Sequence, residues 1–242
     1  MLPFSEGMSY MKDKNSMFKL NTMGDDVYEE MKKDILNLHM KPGTPVTEQG
    51  ICEKYGISRT PSRHVLQRLR DDGLIHSIPY KASFVSLLDF KKIEQIIFMR
   101  CAIEEKVMKE ALNKKNERFL KELKRSLRDQ EDLLSEEFTP EEFYAMDAEF
   151  HAIWFRFTGK EFVWEEIERM LVHYKRFRML DIVVVKDFQT IYEEHVELVQ
   201  IIEEGKEELV EKKIAKHLYG GINRLGDKIH GEYKEYFIED NA

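Results

Sequence analysis

Cysteine is scarce in this chain: its 242 residues hold only Cys52 and Cys101. Neither has a Cys-x-x-Cys partner, so a zinc knuckle is not expected, and free thiols in a reducing compartment are. Long apolar runs are missing too. No stretch approaches the ~18 residues that a membrane helix needs, so no membrane span is expected. The first twenty residues, MLPFSEGMSYMKDKNSMFKL, lack the continuous apolar core of a signal peptide. These absences point to a cytoplasmic location. There is no internal repeat and no low-complexity tract. What the chain does have is 42% hydrophobic and 35% charged residues. That balance suits the packed cores of a soluble helical protein, and the length suits one large domain or two ordinary ones.

Positive charge is in deficit overall, with 38 Lys+Arg against 46 Asp+Glu. The deficit is uneven. Residues 1–86 carry 12 basic and 11 acidic side chains, and residues 87–242 carry 26 and 35. Lys41, Lys54, Arg59, Arg63, Arg68 and Arg70 cluster within residues 41–70, against Glu48 and Glu53. A basic patch confined to one part of an acidic chain suits phosphate contacts by that part alone.

That patch surrounds the stretch GISRTPSRHVLQRLRDDG, Gly56 to Gly73. Gly56 is placed to close a preceding helix in the left-handed conformation. Ser58 stands where an N-cap belongs, its hydroxyl expected to accept a backbone N–H of the first turn. Val65, Leu66 and Leu69 fall at helical spacing and face a small core. Arg59 and Arg63, four apart, project from one face at the N-terminal end. Such a pair is often only a solvated face. At the start of a recognition helix it is also where arginine meets guanine O6 and N7 in the major groove.

Upstream, Asp25 or Asp26 is expected to cap a first helix carrying Val27, Tyr28, Met31, Ile35 and Leu38 on one face. Lys41-Pro42-Gly43 makes a turn, and Thr47 starts a short second helix ending at Gly56. Downstream, LIHSIPYKASFVSLL reads as two short strands around Pro79-Tyr80-Lys81, a β-wing. Helix, helix-turn-helix and wing make a winged helix over residues 21–86, with residues 1–20 as a mobile arm.

The run from Val27 to Ile75, with its KPG turn, Glu48, GISRTPSR and DGL end, resembles the N-terminal domain of the GntR family of bacterial transcriptional regulators. The resemblance implies a homodimer on operator DNA. It implies base and phosphate contacts from Ser58, Arg59, Thr60 and Arg63, with Lys81 of the wing beside them. Gln49 departs from the family, where several members carry arginine, and Tyr80 replaces a frequent wing-tip glycine.

From Asp89 the period changes to 3.6 and no strand-like alternation appears. Helices are expected over 89–112, 114–134, 140–157, 161–180, 187–204 and 206–230, an all-α domain of six or seven helices over 87–236. Thr139-Pro140-Glu141-Glu142 has the form of a capping box with proline at the first position. Thr158-Gly159-Lys160 and Glu204-Gly205-Lys206 break the pattern. Asp147 and His151, four apart, point the same way, and His195 and His217 follow on later helices. Imidazole and carboxylate on facing helices can ligate Zn, Mn, Ni or Fe. An Asp–His pair at this spacing is also a common surface hydrogen bond.

This second part resembles the FCD domain of the FadR subfamily of GntR regulators. In its metal-binding branch an Asp-x3-His pair and two later histidines hold one divalent ion, and Asp147, His151, His195 and His217 match them in order. Arg100 and Glu104 match an Arg-x3-Glu element whose arginine faces the effector. Arg176 and Arg178, in HYKRFRML, are candidates for the same cavity. The family's asparagine after the Asp-x3-His helix is replaced here by GKEFVW. The resemblance implies a regulator, not an enzyme, with a divalent metal ion; four protein ligands leave positions open on such an ion, and a small carboxylate or hydroxy acid paired with Arg100 is the effector expected there. Two alternatives stand beside it: a metal-free regulator answering to an acyl-CoA or other apolar effector, and a helical metalloenzyme.

Overall fold

The computed structural model describes residues 23–78, 82–170 and 172–239. The chain divides after Leu87 into two compact units. The arm expected over residues 1–20 lies outside the described residues.

In the first unit, helix α1 covers residues 23–36 and buries Val27, Tyr28, Met31 and Ile35. Asp25 and Asp26 do not cap it, because the helix already runs at residue 23; Asp25 pairs instead with Arg68. Leu38 stands beyond the helix with φ 62° and so leaves the apolar face expected for it. Helix α2 spans Glu48–Tyr55, and the Thr47 side chain accepts from the Gly50 N–H at 3.0 Å. Gly56 ends it at φ 65°, a conformation that costs a residue with a Cβ but not glycine. Helix α3 spans Arg59–Asp71 and buries Val65, Leu66 and Leu69.

Ser58 occupies the cap position of α3, yet its hydroxyl accepts no hydrogen bond from the helix. Part of the reason is in the next three residues. A cap bonds the second or third helical N–H, and one of these two donors is missing here because the third residue is Pro61; the Thr60 N–H remains but is not bonded by Ser58. The wing strands are β2 (Ile75–Ile78) and β3 (Ala82–Val85), antiparallel with Ile75 opposite Val85. A two-residue strand, β1 (Pro45–Val46), pairs with β3 on its other side and gives the order β1-β3-β2. Two residues carry no periodicity, so β1 left no trace in the sequence pattern. Tyr80 and Lys81 at the wing tip lie outside the described residues.

The second unit contains α4 (Phe90–Lys114), α5 (Glu117–Leu134), α6 (Pro140–Phe157), α7 (Glu161–Met170), α8 (Val172–Val185), α9 (Phe188–Glu204) and α10 (Val210–Leu225). The helix expected over 161–180 is described as α7 and α8 on either side of Leu171, and α8 continues to Val185. That expected over 206–230 is α10 with a 3-10 turn before it and another after it. The capping box of α6 is formed in both directions between Thr139 and Glu142. Beyond α10 the chain returns to the start of α4, where the Leu88 N–H donates to the Tyr236 carbonyl at 2.8 Å.

Helix α10 packs against α4, α8 and α9, and α5 packs against α6 and α9. Gly221 permits the contact with α8: a Cβ there would stand 3.2 Å from Asp181 Oδ2 and 3.3 Å from the Phe177 ring. Helix α6 buries Phe143, Tyr144, Phe150, Ala152, Ile153, Trp154 and Phe155. A helix apolar on nearly every side belongs in the core. Its two buried polar residues, Asp147 and His151, must find partners there. Among the described residues, no helix is long and apolar enough to cross a membrane.

Candidate functional site

Two groups of side chains carry chemistry, one in each unit. In the first, Ser58, Arg59, Thr60 and Arg63 are all exposed on the N-terminal turns of α3. The Arg59 and Arg63 side chains are 84% and 67% exposed, so neither contributes to the core. With its own helix offering Ser58 no bond, the hydroxyl keeps its capacity for an external partner. Gln49 donates to Glu53 at 2.7 Å. Lys81, the remaining residue expected at DNA, lies outside the described residues.

The second group is buried in the bundle. Asp147 and His151 come from α6, His195 from α9 and His217 from α10, and one ligand atom from each lies within 4.8 Å of the others. The surroundings orient every imidazole. His151 Nδ1 is 2.6 Å from Glu104 Oε2, His195 Nδ1 is 2.6 Å from Gln130 Oε1, and His217 Nδ1 is 2.9 Å from Glu194 Oε2. Each partner offers an acceptor oxygen, so each Nδ1 carries the proton and each Nε2 turns a lone pair inward. The Nε2 atoms of His151 and His217 are then 3.0 Å apart, and His195 Nε2 is buried with no hydrogen-bond partner. Facing lone pairs repel, and a buried acceptor without a partner is costly. A cation among them would remove both penalties. Side chains that fix the tautomer from behind in this way are also what metal-ligating histidines require. The residues present therefore fit a divalent metal ion.

Charge around the cluster is nearly balanced. Arg178 donates to Asp147 at 3.2 Å and to Asp181 at 2.7 Å, and Arg224 donates to Asp181 at 2.8 Å. Arg100 donates to Glu104 at 2.6 Å, so it reaches His151 through that carboxylate. Burial works to raise the Asp147 carboxyl, but Arg178, His195 and His151 outweigh it and hold the group well below the usual carboxylate range. Burial pushes His195 down to about 4. Burial, with His195 and His151 beside it, holds His217 well below the ordinary imidazole value. Both rings are thus neutral at physiological pH. Burial pushes Glu194 up to about 7, against Arg224.

Of the residues expected near an effector, Arg100 and Arg178 are joined to the cluster by these bonds. Arg176 is fully buried, and its charge acts on His173. Sequence reasoning missed Gln130, Glu194, Asp181 and Arg224. Gln130 had a readable signal: it follows Phe119 and Leu123 on the buried stripe of α5, where a polar side chain needs a reason. The others had none.

Two family profiles match the chain, the GntR bacterial regulatory protein domain over residues 23–85 and the FCD domain over residues 95–220. The HTH-type transcriptional repressor RspR of Escherichia coli is 23% identical over 218 residues, 90% of this chain and 95% of that protein. The Nta operon transcriptional regulator of Aminobacter aminovorans is 21% identical, over 85% of this chain and 96% of that one. Among solved structures, E. coli McbR/YncC superposes with a TM-score of 0.62 at 17% identity, over 87% of this chain and 98% of its own. A GntR-type regulator from Rhodococcus does so with a TM-score of 0.62 at 16% identity, over 85% and 98%. An N-terminal winged helix of one family and a helical bundle of the other, in one chain, leave a single assignment. This chain belongs to the GntR family of bacterial transcriptional regulators, DNA-binding proteins rather than enzymes, and its helical half is an FCD domain.

Proposed function

We propose that this regulator works in the cytoplasm as a homodimer of the FadR subfamily. Residues 21–86 form its operator-binding domain, and residues 87–236 form a metal- and effector-binding domain. Ser58, Arg59, Thr60 and Arg63 touch DNA, with Lys81 of the wing. Asp147, His151, His195 and His217 hold one divalent ion, Zn, Ni, Mn or Fe. The observation that carries this reading is the convergence of three inward-facing imidazole Nε2 atoms on one buried carboxylate, each ring held from behind.

A small carboxylate is the effector this site favours. Four protein ligands leave one or two positions on a metal that takes five or six. Glu104, Asp147, Asp181 and Glu194 face Arg100, Arg178 and Arg224 across the site. With every carboxylate ionised, a divalent ion turns that local balance positive, and an anion restores neutrality. Arg100 and Arg178 are the charge partners for it, and the buried Arg176 is a further candidate on the same helix as Arg178. When bound, the metal supplies a Lewis-acidic anchor for the effector's oxygen. The protein's own part is to fix the imidazole tautomers and to exclude water. Signalling further requires that the effector bind one conformation of the dimer better than another.

Metal analysis of the purified protein, paired with thermal unfolding, tests the site. A ligand at 100 times its dissociation constant stabilises the folded state by about 2.7 kcal/mol. The added ion should raise the melting temperature, and His151→Ala or His217→Ala should abolish the rise. A metal-free protein whose melting temperature ignores added ions, and whose effector-dependent DNA binding survives chelation, would refute the reading.

A further inference from the structure

The exposed arginines of α3 are not independent. Glu48, the first residue of α2, places Oε2 2.7 Å from Arg63 Nε and Oε1 4.0 Å from Arg59 Nε. One carboxylate thus stands between both guanidinium groups. Its own backbone is tied to the same helix, because the Ser62 hydroxyl donates to the Glu48 carbonyl at 3.0 Å. Glu48 is more buried than either arginine, with 28% of its side chain exposed. It sits as a post against which both longer side chains lean.

The atoms engaged are informative. Arg63 meets Glu48 through Nε, the inner edge of the guanidinium. That leaves its two outer nitrogens, a fork that can pair with guanine O6 and N7, out of this bond on a largely exposed side chain. A phosphate makes no such demand: any guanidinium nitrogen serves, from many side-chain conformations. An arginine that swings away to a passing phosphate, or meets it through Nε, gives up its bond to Glu48, whereas one that reads a base edge head-on keeps it. The carboxylate also repels the DNA backbone. The repulsion weakens both kinds of binding, but only binding to the operator keeps the oriented base contacts that offset it.

We propose that Glu48 is a positioning residue for operator recognition, which orients Arg59 and Arg63 for base reading and suppresses their use as general phosphate anchors. This rests on the reading that those arginines touch DNA. Its signature is a loss of discrimination, not of binding.

The test uses the full-length protein in fluorescence-anisotropy titrations. One probe is a duplex selected by the wild-type protein from a random-sequence library, and the other is a scrambled duplex of the same composition. In Glu48→Gln, affinity for the scrambled duplex should rise and affinity for the selected duplex should fall. Their ratio should drop by about tenfold, the scale of one weakened base contact. Glu48→Asp, which keeps the charge on a shorter reach, should recover part of the ratio. Circular dichroism melts show whether each variant is folded. A Glu48→Gln protein that melts like wild type and keeps its discrimination within about twofold overturns the proposal. If Glu48→Gln proves unstable, Glu48→Asp alone decides: unchanged discrimination overturns it and reduced discrimination supports it. Arg63→Ala separates the underlying reading. If it binds the selected duplex as well as wild type, the arginines do not read DNA. If it loses binding while Glu48→Gln keeps its discrimination, only the positioning role fails.

Discussion

A histidine becomes a usable ligand through the atom behind it, and at residue scale this chain supplies three such atoms on three helices. Glu104 of α4, Gln130 of α5 and Glu194 of α9 each accept a hydrogen bond from the Nδ1–H of one ring. Two of these partners are carboxylates, which raise the basicity of the ring they hold, and one is a neutral amide. Gln130 is the cleanest to remove, since Glu104 also holds the buried Arg100 and its loss would strand that charge. Gln130→Leu should leave the helices intact and weaken metal binding by about 10–100-fold. Competition against a chelator of known affinity measures this. Wild-type affinity in the variant would mean that His195 needs no support. Cys101 is not among the four clustered residues, and burial pushes its thiol up to about 11.

At the scale of elements, the helices of the bundle are ended by local chemistry. Thr139 and Glu142 satisfy each other's backbone at the start of α6, the helix that carries Asp147 and His151. Removing the cap hydroxyl in Thr139→Ala should cost about 0.5–2 kcal/mol. Urea unfolding reads that loss, and the midpoint should move while the slope does not. At the other end of the bundle, Lys115 donates to the Ile202 and Glu203 carbonyls at 2.8 and 2.9 Å, a cation on the C-terminus of α9. Caps such as Thr47 and Thr139 are legible because every participant lies within three residues of the others. Ser58 shows the limit of such reading: it stands at the cap position but makes no cap bond, with Pro61 removing one of the two donors it could have used.

For the whole molecule, stability should depend on pH through buried imidazoles. His173 is pushed down to about 4 by burial, with Arg176 and Lys92 adding to the effect and Asp89 opposing it. The Asp89 N–H donates to its Nδ1 at 3.4 Å, which requires the unprotonated atom. The unfolded chain takes up this proton near pH 6.5, the folded chain only near 4. Between those values the unfolded state binds more protons, so stability falls as pH falls; above 6.5 the contribution is constant. Chemical denaturation from pH 7 to pH 4 should show the decline, and His173→Gln should make it shallower. An identical profile in the variant would remove His173 from the account. The molecule should also act in pairs. One recognition helix reads only a few base pairs, so useful specificity needs two half-sites related by a two-fold axis. Sedimentation should find a dimer at micromolar concentration and two protomers per palindromic duplex. A monomer binding one-to-one would contradict this.

What the sequence determined by itself was local. The helix-turn-helix, the wing strands, the capping box, the breaks at Gly159 and Gly205 and the shared face of Asp147 and His151 all follow from residues a few positions apart. Period and spacing carry that information directly. The four cluster residues were legible only as a set matched in order to a family, since nothing local joins α6 to α9 and α10. The tertiary structure decided what surrounds them. His151 meets Glu104 across 47 positions of chain, and His195 meets Gln130 across 65. Such partners are chosen by which helices pack together, and no window of sequence contains both. The same holds for Glu48, whose carboxylate reaches Arg63 across 15 positions because the turn after Gly56 folds α3 back against the start of α2.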